Sequence, residues 1–138
     1  ILIFGGGDNV NLYNDLWILD TQKNTFEKLS ATGDPPSKRW GHTACKVDET
    51  LFVFGGIDAK GRVGDLYTLN LTTFEWKKPE LKSQAKPGET QPINNNPSPR
   101  AGHSAIIVGR KMIVYGGADG RLLHDLYYLN VDTKQWFR

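Results

Sequence analysis

The sequence predicts an all-β fold built from about three copies of one small antiparallel sheet. Two observations favour this fold: a set of motifs recurs along the chain, and each copy holds short apolar runs bounded by turn residues. No segment of the 138 residues shows the 3.6-residue apolar period of an amphipathic helix. Fifteen glycines and seven prolines provide the many turns that short strands require.

The first recurring element is an apolar strand that ends in two glycines. It occurs at Ile1–Gly6, Leu51–Gly56 and Met112–Gly117. Because glycine has no Cβ atom, a glycine pair allows close backbone approach and unusual dihedral angles at a crowded strand end. The glycines of these pairs are Gly5, Gly6, Gly55, Gly56, Gly116 and Gly117.

The second element is an Asp-Leu-aromatic triplet, followed by a large aromatic residue. The triplets begin at Asp15, Asp65 and Asp125, which lie 10, 10 and 9 residues after the first glycine of each pair. Eleven residues after each aspartate the chain places a ring, at Phe26, Trp76 and Trp136. Rings of this size bury a large apolar area, so we expect them to fill the contacts between adjacent sheets.

The third element precedes only the second and third glycine pairs. It reads Pro-x-x-Arg-x-Gly-His, with Arg39, Gly41 and His42 in one copy and Arg100, Gly102 and His103 in the other. In both copies the motif glycine lies 14 residues before the glycine pair. The first copy lacks this strand, so the sequence predicts about two and three-quarter sheets of four strands.

The third copy shows the order of strands within one sheet. Turn residues separate predicted strands at 103–108, 112–115, 125–129 and 135–137. Four antiparallel strands joined by short turns form one twisted sheet, and radial stacking of such sheets produces a β-propeller.

These motifs, taken together, resemble the kelch repeat family over nearly the whole chain. The resemblance implies a partial kelch-type β-propeller, with an incomplete blade at 1–30, a blade at 36–80 and a blade at 97–138. An inserted loop at 82–96 would join the last two blades, because Trp76 and Gly102 are 26 residues apart where Phe26 and Gly41 are 15 apart. This loop is either a disordered surface excursion or a binding arm.

Propellers close with about 4–8 blades, so we expect a larger protein to supply the remaining blades. Assembly of several chains into one ring is the alternative.

In repeat proteins the constant residues build the scaffold, whereas the variable loops carry the function. Partner proteins dock on one loop face of kelch propellers, so the resemblance implies a protein–protein interaction module that recognises a protein or peptide. The candidate contact residues are Arg39, Trp40, Arg100, Asp8, Asn9, Asn11, Asp58, Arg62, Asp119 and Arg121. The candidate scaffold residues are the paired glycines with Gly41, His42, Trp76, Gly102, His103 and Trp136.

The motif arginines admit two interpretations. The resemblance implies that Arg39 and Arg100 contact the partner, and their guanidinium groups would suit an acidic or phosphorylated segment. Alternatively, each arginine pairs with a neighbouring aspartate inside the scaffold. Trp40, which the third copy replaces with Ala101, is either exposed for contact or buried beside Arg39.

Composition excludes several other classes of function. A net charge of +2 gives no reason to expect a nucleic-acid or membrane partner. The single cysteine, Cys45, forms no internal disulfide and favours an intracellular protein, cytoplasmic rather than nuclear. The sequence has no Cys-x-x-Cys or His-Glu-x-x-His pattern, so we expect no metal, no cofactor and no catalytic residue in this chain. A kelch-fold enzyme or small-ligand propeller, with a site that needs further blades, is the alternative.

Overall fold

The computed structural model describes residues 1–82 and 95–138, which form strands and turns with no helix among them. Those two ranges therefore hold no helix long and apolar enough to cross a membrane. Most of the insertion at 82–96 lies outside the described residues, so its role stays a prediction.

The first sheet has three strands. They are β1 (Leu2–Gly7), β2 (Leu12–Asp20) and β3 (Thr25–Leu29), all antiparallel, with β2 in the centre. The strand β1 lies at the edge of this sheet. In the other two blades, the equivalent strand pairs with one further strand, which follows the Arg-x-Gly-His motif.

The second sheet has the four strands expected of a blade and one more. A short strand β4 (Thr32–Gly33) pairs in parallel with the outermost strand and so ties the link from the first blade to the second. The blade strands are β5 (Thr43–Val47), β6 (Thr50–Phe54), β9 (Leu66–Asn70) and β10 (Glu75–Lys77), and β7 (Ile57–Asp58) with β8 (Gly61–Arg62) forms a separate two-stranded ribbon.

The third sheet repeats this design. Its strands are β11 (Ser104–Val108), β12 (Lys111–Tyr115), β13 (Leu126–Asn130) and β14 (Gln135–Phe137), in that order across the sheet. They agree with the predicted strands to within one residue at each end. Lys82 forms a parallel bridge with Gln135, in the position that β4 takes beside β10. The all-β fold and the partial kelch-type propeller are thus confirmed.

The apolar core lies between blades. Side chains alternate along β6, so Leu51 and Val53 pack toward the first blade, whereas Phe52 and Phe54 pack toward the third. One cluster contains Phe4, Leu16, Leu51, Val53, Tyr67, Leu69 and Trp76. The other contains Val47, Phe52, Phe54, Leu66, Met112, Val114, Tyr127, Leu129, Val131 and Trp136. The apolar side chains of each blade are therefore buried mainly against the adjacent blades.

The repeated tryptophans fill both junctions in the same way. The ring centroids of Trp76 and Phe4 are 5.0 Å apart, and those of Trp136 and Phe54 are also 5.0 Å apart. Both tryptophans are buried. Phe26 holds the same motif position in the first blade but is 62% exposed, because no described blade precedes the first.

The central glycine pair shows why the motif needs two glycines. Both Gly55 and Gly56 have positive φ, at 66° and 105°. A Cβ atom on Gly55 would lie 2.8 Å from the carbonyl oxygen of Arg100 in the next blade. A Cβ atom on Gly56 would lie 2.8 Å from the carbonyl oxygen of Trp40 in its own blade. The pair therefore lets the Arg-x-Gly-His segments of two blades approach one backbone turn.

Candidate functional site

Antiparallel strands place the connections of each blade at two opposite ends of the sheets. One end, here called the loop face, carries the loops 7–14, 57–64 and 118–124 together with the motif segments 36–42 and 97–103. The other end, the turn face, carries the tight turns, such as 48–49 and 71–74. All the candidate contact residues from the sequence lie on the loop face.

The guanidinium group of Arg39 is completely enclosed on the loop face. It donates two hydrogen bonds to the Asp65 carboxylate, at 2.6 and 3.1 Å. Its other donors bond the carbonyl oxygen of Gly55 at 3.0 Å, and the carbonyl and hydroxyl oxygens of Ser37 at 3.1 and 2.9 Å. All five N–H groups of this side chain thus have a partner within the chain.

Arg100 repeats this geometry in the third blade. It bonds Asp125 at 2.6 and 3.0 Å, Gly116 at 3.1 Å, and the two oxygens of Ser98 at 3.1 and 3.2 Å. The hydrogen bonds from Arg100 hold the pKa of the Asp125 carboxyl below its usual value. Two blades with different loops thus contain the same arrangement of an enclosed arginine bound to an aspartate.

The structure therefore gives no support to direct contact between these arginines and a partner, and that contact stays a prediction. Neither side chain has exposed surface, and each guanidinium charge is already neutralised by an aspartate of its own blade. The alternative interpretation, a structural pair, describes both residues. The partners were visible in the sequence, since Ser37 and Ser98 recur two residues before the arginines and Asp65 and Asp125 open the Asp-Leu-aromatic triplets.

The motif histidines also serve the junctions. His42 packs edge-on against Phe4, and His103 packs edge-on against Phe54, with ring centroids 5.3 Å apart in both cases. A hydrogen bond of 2.8 Å joins His103 Nε2 to Thr43 Oγ1 in the neighbouring blade. Burial, aided by the charge of Arg100, lowers the pKa of His103 to about 4. Burial lowers the pKa of His42 as well, so both rings are mainly uncharged at neutral pH.

In each blade, an aspartate forms the turn of the loop that follows the glycine pair. The carboxylate of Asp8 accepts the amides of Val10 and Asn11 at 2.7 and 2.6 Å, and Asp58 accepts the amide of Lys60 at 2.8 Å. Asp119 is placed in the same way in the third blade. Asp58 and Asp119 are half-buried and also accept the hydroxyl groups of Ser37 and Ser98, so they extend the arginine scaffold.

The exposed candidates are spread over all three loops. Asn9 and Asn11 are exposed in the first loop, Arg62 in the second and Arg121 in the third. They differ in type from blade to blade, as expected of residues that the scaffold does not require.

Trp40 is exposed rather than buried beside Arg39, with 51% of its surface accessible. Its backbone is fixed by two hydrogen bonds to Ile57, at 3.1 and 2.8 Å. Beside it a cavity of about 260 Å³ is lined by Gly7, Asp8, Asn9 and Trp40, and we call it the Trp40 cleft. The sequence left the exposure of Trp40 open, because Arg39 and Trp40 are neighbours and only the fold shows which one points outward.

Metal or thiol chemistry has no support among the described residues. Within 1–82 and 95–138, no three His, Cys, Asp or Glu side chains lie together in a way that would hold a metal ion. Burial raises the pKa of the Cys45 thiol, which opposes formation of a reactive thiolate.

Comparison with known proteins agrees with this geometry. The KLHDC2/KLHL20/DRC7 Kelch-repeats domain matches residues 1–138. The chain is 32% identical to the Leucine-zipper-like transcriptional regulator 1 homolog of Drosophila melanogaster, over 99% of the chain and 14% of that protein. It is 33% identical to the Rab9 effector protein with kelch motifs of Bos taurus, over 91% of the chain and 32% of that protein.

A third relative comes from Dictyostelium discoideum. This probable serine/threonine-protein kinase is 28% identical over 98% of the chain but only 10% of its own length. The chain thus spans between 10% and 32% of the length of these curated relatives. Matching segments occur inside much larger proteins.

Proposed function

Because the chain belongs to the family of KLHDC2/KLHL20/DRC7 Kelch-repeats domains, we propose that it is a protein-interaction module that binds a partner segment on its loop face. Any catalytic activity of the whole protein would then come from residues other than those described. The name of the Rab9 effector relative refers to a protein partner, which supports the same class of function.

The observation that carries this proposal is the contrast between constant scaffold and variable loops. The arginine–aspartate pairs and tryptophan contacts are the same at both junctions, within 0.1 Å in their shortest hydrogen bonds and ring distances. The exposed side chains beside them differ, and the largest is Trp40. A large ring exposed on a rigid backbone is the kind of residue that dominates binding energy in protein interfaces.

The charge of the partner segment follows from which groups remain accessible. An acidic or phosphorylated segment would meet Arg62 and Arg121, which are exposed, rather than the enclosed Arg39 and Arg100. At the first junction the accessible charges include the carboxylate of Asp8 and the ammonium group of Lys38. The loop face therefore offers both signs of charge.

Site-specific photocrosslinking in cells tests the proposal. A benzoylphenylalanine residue is placed on the loop face at position 40, 62 or 121, and on the turn face at Glu49 or Thr72, which are also exposed. We expect discrete protein adducts from the loop-face positions and few from the turn-face positions. Equal adducts from both faces, or adducts from the turn face alone, would contradict the proposal.

A further inference from the structure

The scaffold does not require a tryptophan at position 40. In the third blade Ala101 forms the same two-bond bridge, with Ala118, at 3.1 and 2.9 Å. The backbone of this segment is thus built equally well on alanine. What Trp40 adds is an exposed indole on the loop face.

The Trp40 cleft combines that indole with a fixed negative charge. The Oδ1 atom of Asp8 accepts two backbone amides, and its Oδ2 atom accepts the hydroxyl of Tyr13 at 2.8 Å. These hydrogen bonds, led by the amide of Asn11, lower the pKa of Asp8, so the carboxylate is ionised at neutral pH. The carboxylate is held in place and remains exposed to solvent.

No basic side chain is among the four residues that line the cleft. Of the two cations beside Trp40 in the chain, Arg39 is enclosed and bound to Asp65, and Lys38 is exposed but lies outside the lining. A group that enters the cleft therefore meets the Trp40 side chain and a carboxylate that has no counterion within the lining.

We propose that the Trp40 cleft holds a cationic side chain, an arginine or lysine of the partner segment. The indole face attracts a cation through its quadrupole, and the Asp8 carboxylate adds a charge-assisted hydrogen bond. This inference rests on the proposed function and specifies it: the segment that crosses the first junction is basic there. At the second junction Ala101 stands in place of Trp40, so no indole is available there to bind a cation.

A small-molecule titration tests this assignment without the natural partner. The probe is N-acetylarginine amide, compared with N-acetylcitrulline amide, which has the same shape without charge, and N-acetylglutamate amide. Binding to the isotopically labelled protein is followed by NMR on the Trp40 indole and on the amides of Gly7 and Asn9. We expect saturable shifts from the arginine probe alone, with a dissociation constant on the order of millimolar.

Three variants locate the interaction. Trp40→Ala should abolish the shifts of the Gly7 and Asn9 amides, and Asp8→Asn should weaken binding by about threefold or more. Asp20→Asn is the matched control, because Asp20 turns the other end of the same blade by accepting the amides of Gln22 and Lys23. It should leave the titration unchanged.

Equal binding of the citrulline or glutamate probe, or no shift from the arginine probe, would overturn the inference. The proposed function would survive that result if crosslinks from position 40 persist. Conversely, arginine binding without any loop-face crosslinks would support the cleft and contradict the interaction module.

Discussion

The two blade junctions share one core and differ at both ends. Each has an enclosed arginine bound to an aspartate and a tryptophan against a phenylalanine ring. On the loop face the first junction exposes Trp40, where the second has the buried Ala101.

On the turn face the first junction has a cavity of about 400 Å³, lined in part by Leu2, Leu51 and Phe74. The second junction fills the position of Leu2 with Phe52, whose ring centroid lies 5.1 Å from Lys134 Nζ. The comparison teaches that this fold fixes the middle of a junction and leaves its ends free to vary.

The largest expected effect comes from the shared ring contacts. Trp76→Ala and Trp136→Ala should each lower the free energy of unfolding by about 3–5 kcal/mol, because each removes a buried ring and leaves a cavity. Trp40→Ala should change stability by less than about 0.5 kcal/mol, since the ring is exposed. Chemical denaturation measures all three variants. A loss from Trp40→Ala as large as the others would show that the junctions do not share one core.

The shared charge pair comes next. Asp65→Asn and Asp125→Asn should each cost about 3 kcal/mol, because a guanidinium without exposed surface loses its counterion. Asp132→Asn removes an exposed partner of Arg110 and should cost less than about 1 kcal/mol. Thermal and chemical unfolding measure the stability of all three variants. Similar small losses in all three variants would mean that the enclosed pairs do not stabilise the junctions.

A smaller effect is the pH dependence of the free energy of unfolding, to which the histidine of each junction contributes. The pKa of His103 is about 4 in the folded chain and 6.5 in its ordinary state, so the unfolded chain binds the proton more readily. The free energy of unfolding should therefore fall as the pH drops from about 6.5 toward 4. His103→Asn should reduce that slope, and His42, whose pKa is also lowered by burial, should supply part of the remainder. A slope unchanged by the substitution would contradict this assignment.

The smallest effect concerns the cavity at the turn face. Leu2→Phe places the residue of the second junction in the first and should raise stability by up to about 1 kcal/mol. The reverse change, Phe52→Leu, should cost about 1 kcal/mol, since a buried ring becomes smaller. Denaturant-induced unfolding measures the change in stability of each variant. Destabilisation by Leu2→Phe would show that this end of the first junction is already filled.

The fold was almost fully predictable, because repetition supplies a test that single motifs lack. Three glycine pairs, each followed after 9 or 10 residues by an Asp-Leu-aromatic triplet, gave the number of blades, and the turn residues between the apolar runs gave the strands of the third blade. The candidate site was predicted less well. For Arg39 and Arg100 the sequence admitted both partner contact and a structural pair, and for Trp40 it admitted both exposure and burial; only the structure shows the enclosed arginines and the exposed indole.

The reason is that a sequence shows which residues recur but not how deeply they lie. Recurrence of Arg39 and Arg100 agreed equally with a binding role and with a structural pair, because both roles use the same guanidinium donors. The discriminating fact was burial together with the positions of Asp65 and Asp125, which lie 25 or more residues away in the chain.

The sequence by itself determined the strands, the blades and the identity of the ring that fills each junction, because these depend on local spacing and on side-chain size. Only the tertiary structure decided which of two neighbours, Arg39 or Trp40, faces inward. Adjacent residues of an extended segment point in opposite directions, and the hydrogen bonds of Arg39 to Ser37, Gly55 and Asp65 of its own blade fix the direction that is buried. That selection turns a motif arginine into scaffold and leaves an indole and the Asp8 carboxylate at the surface.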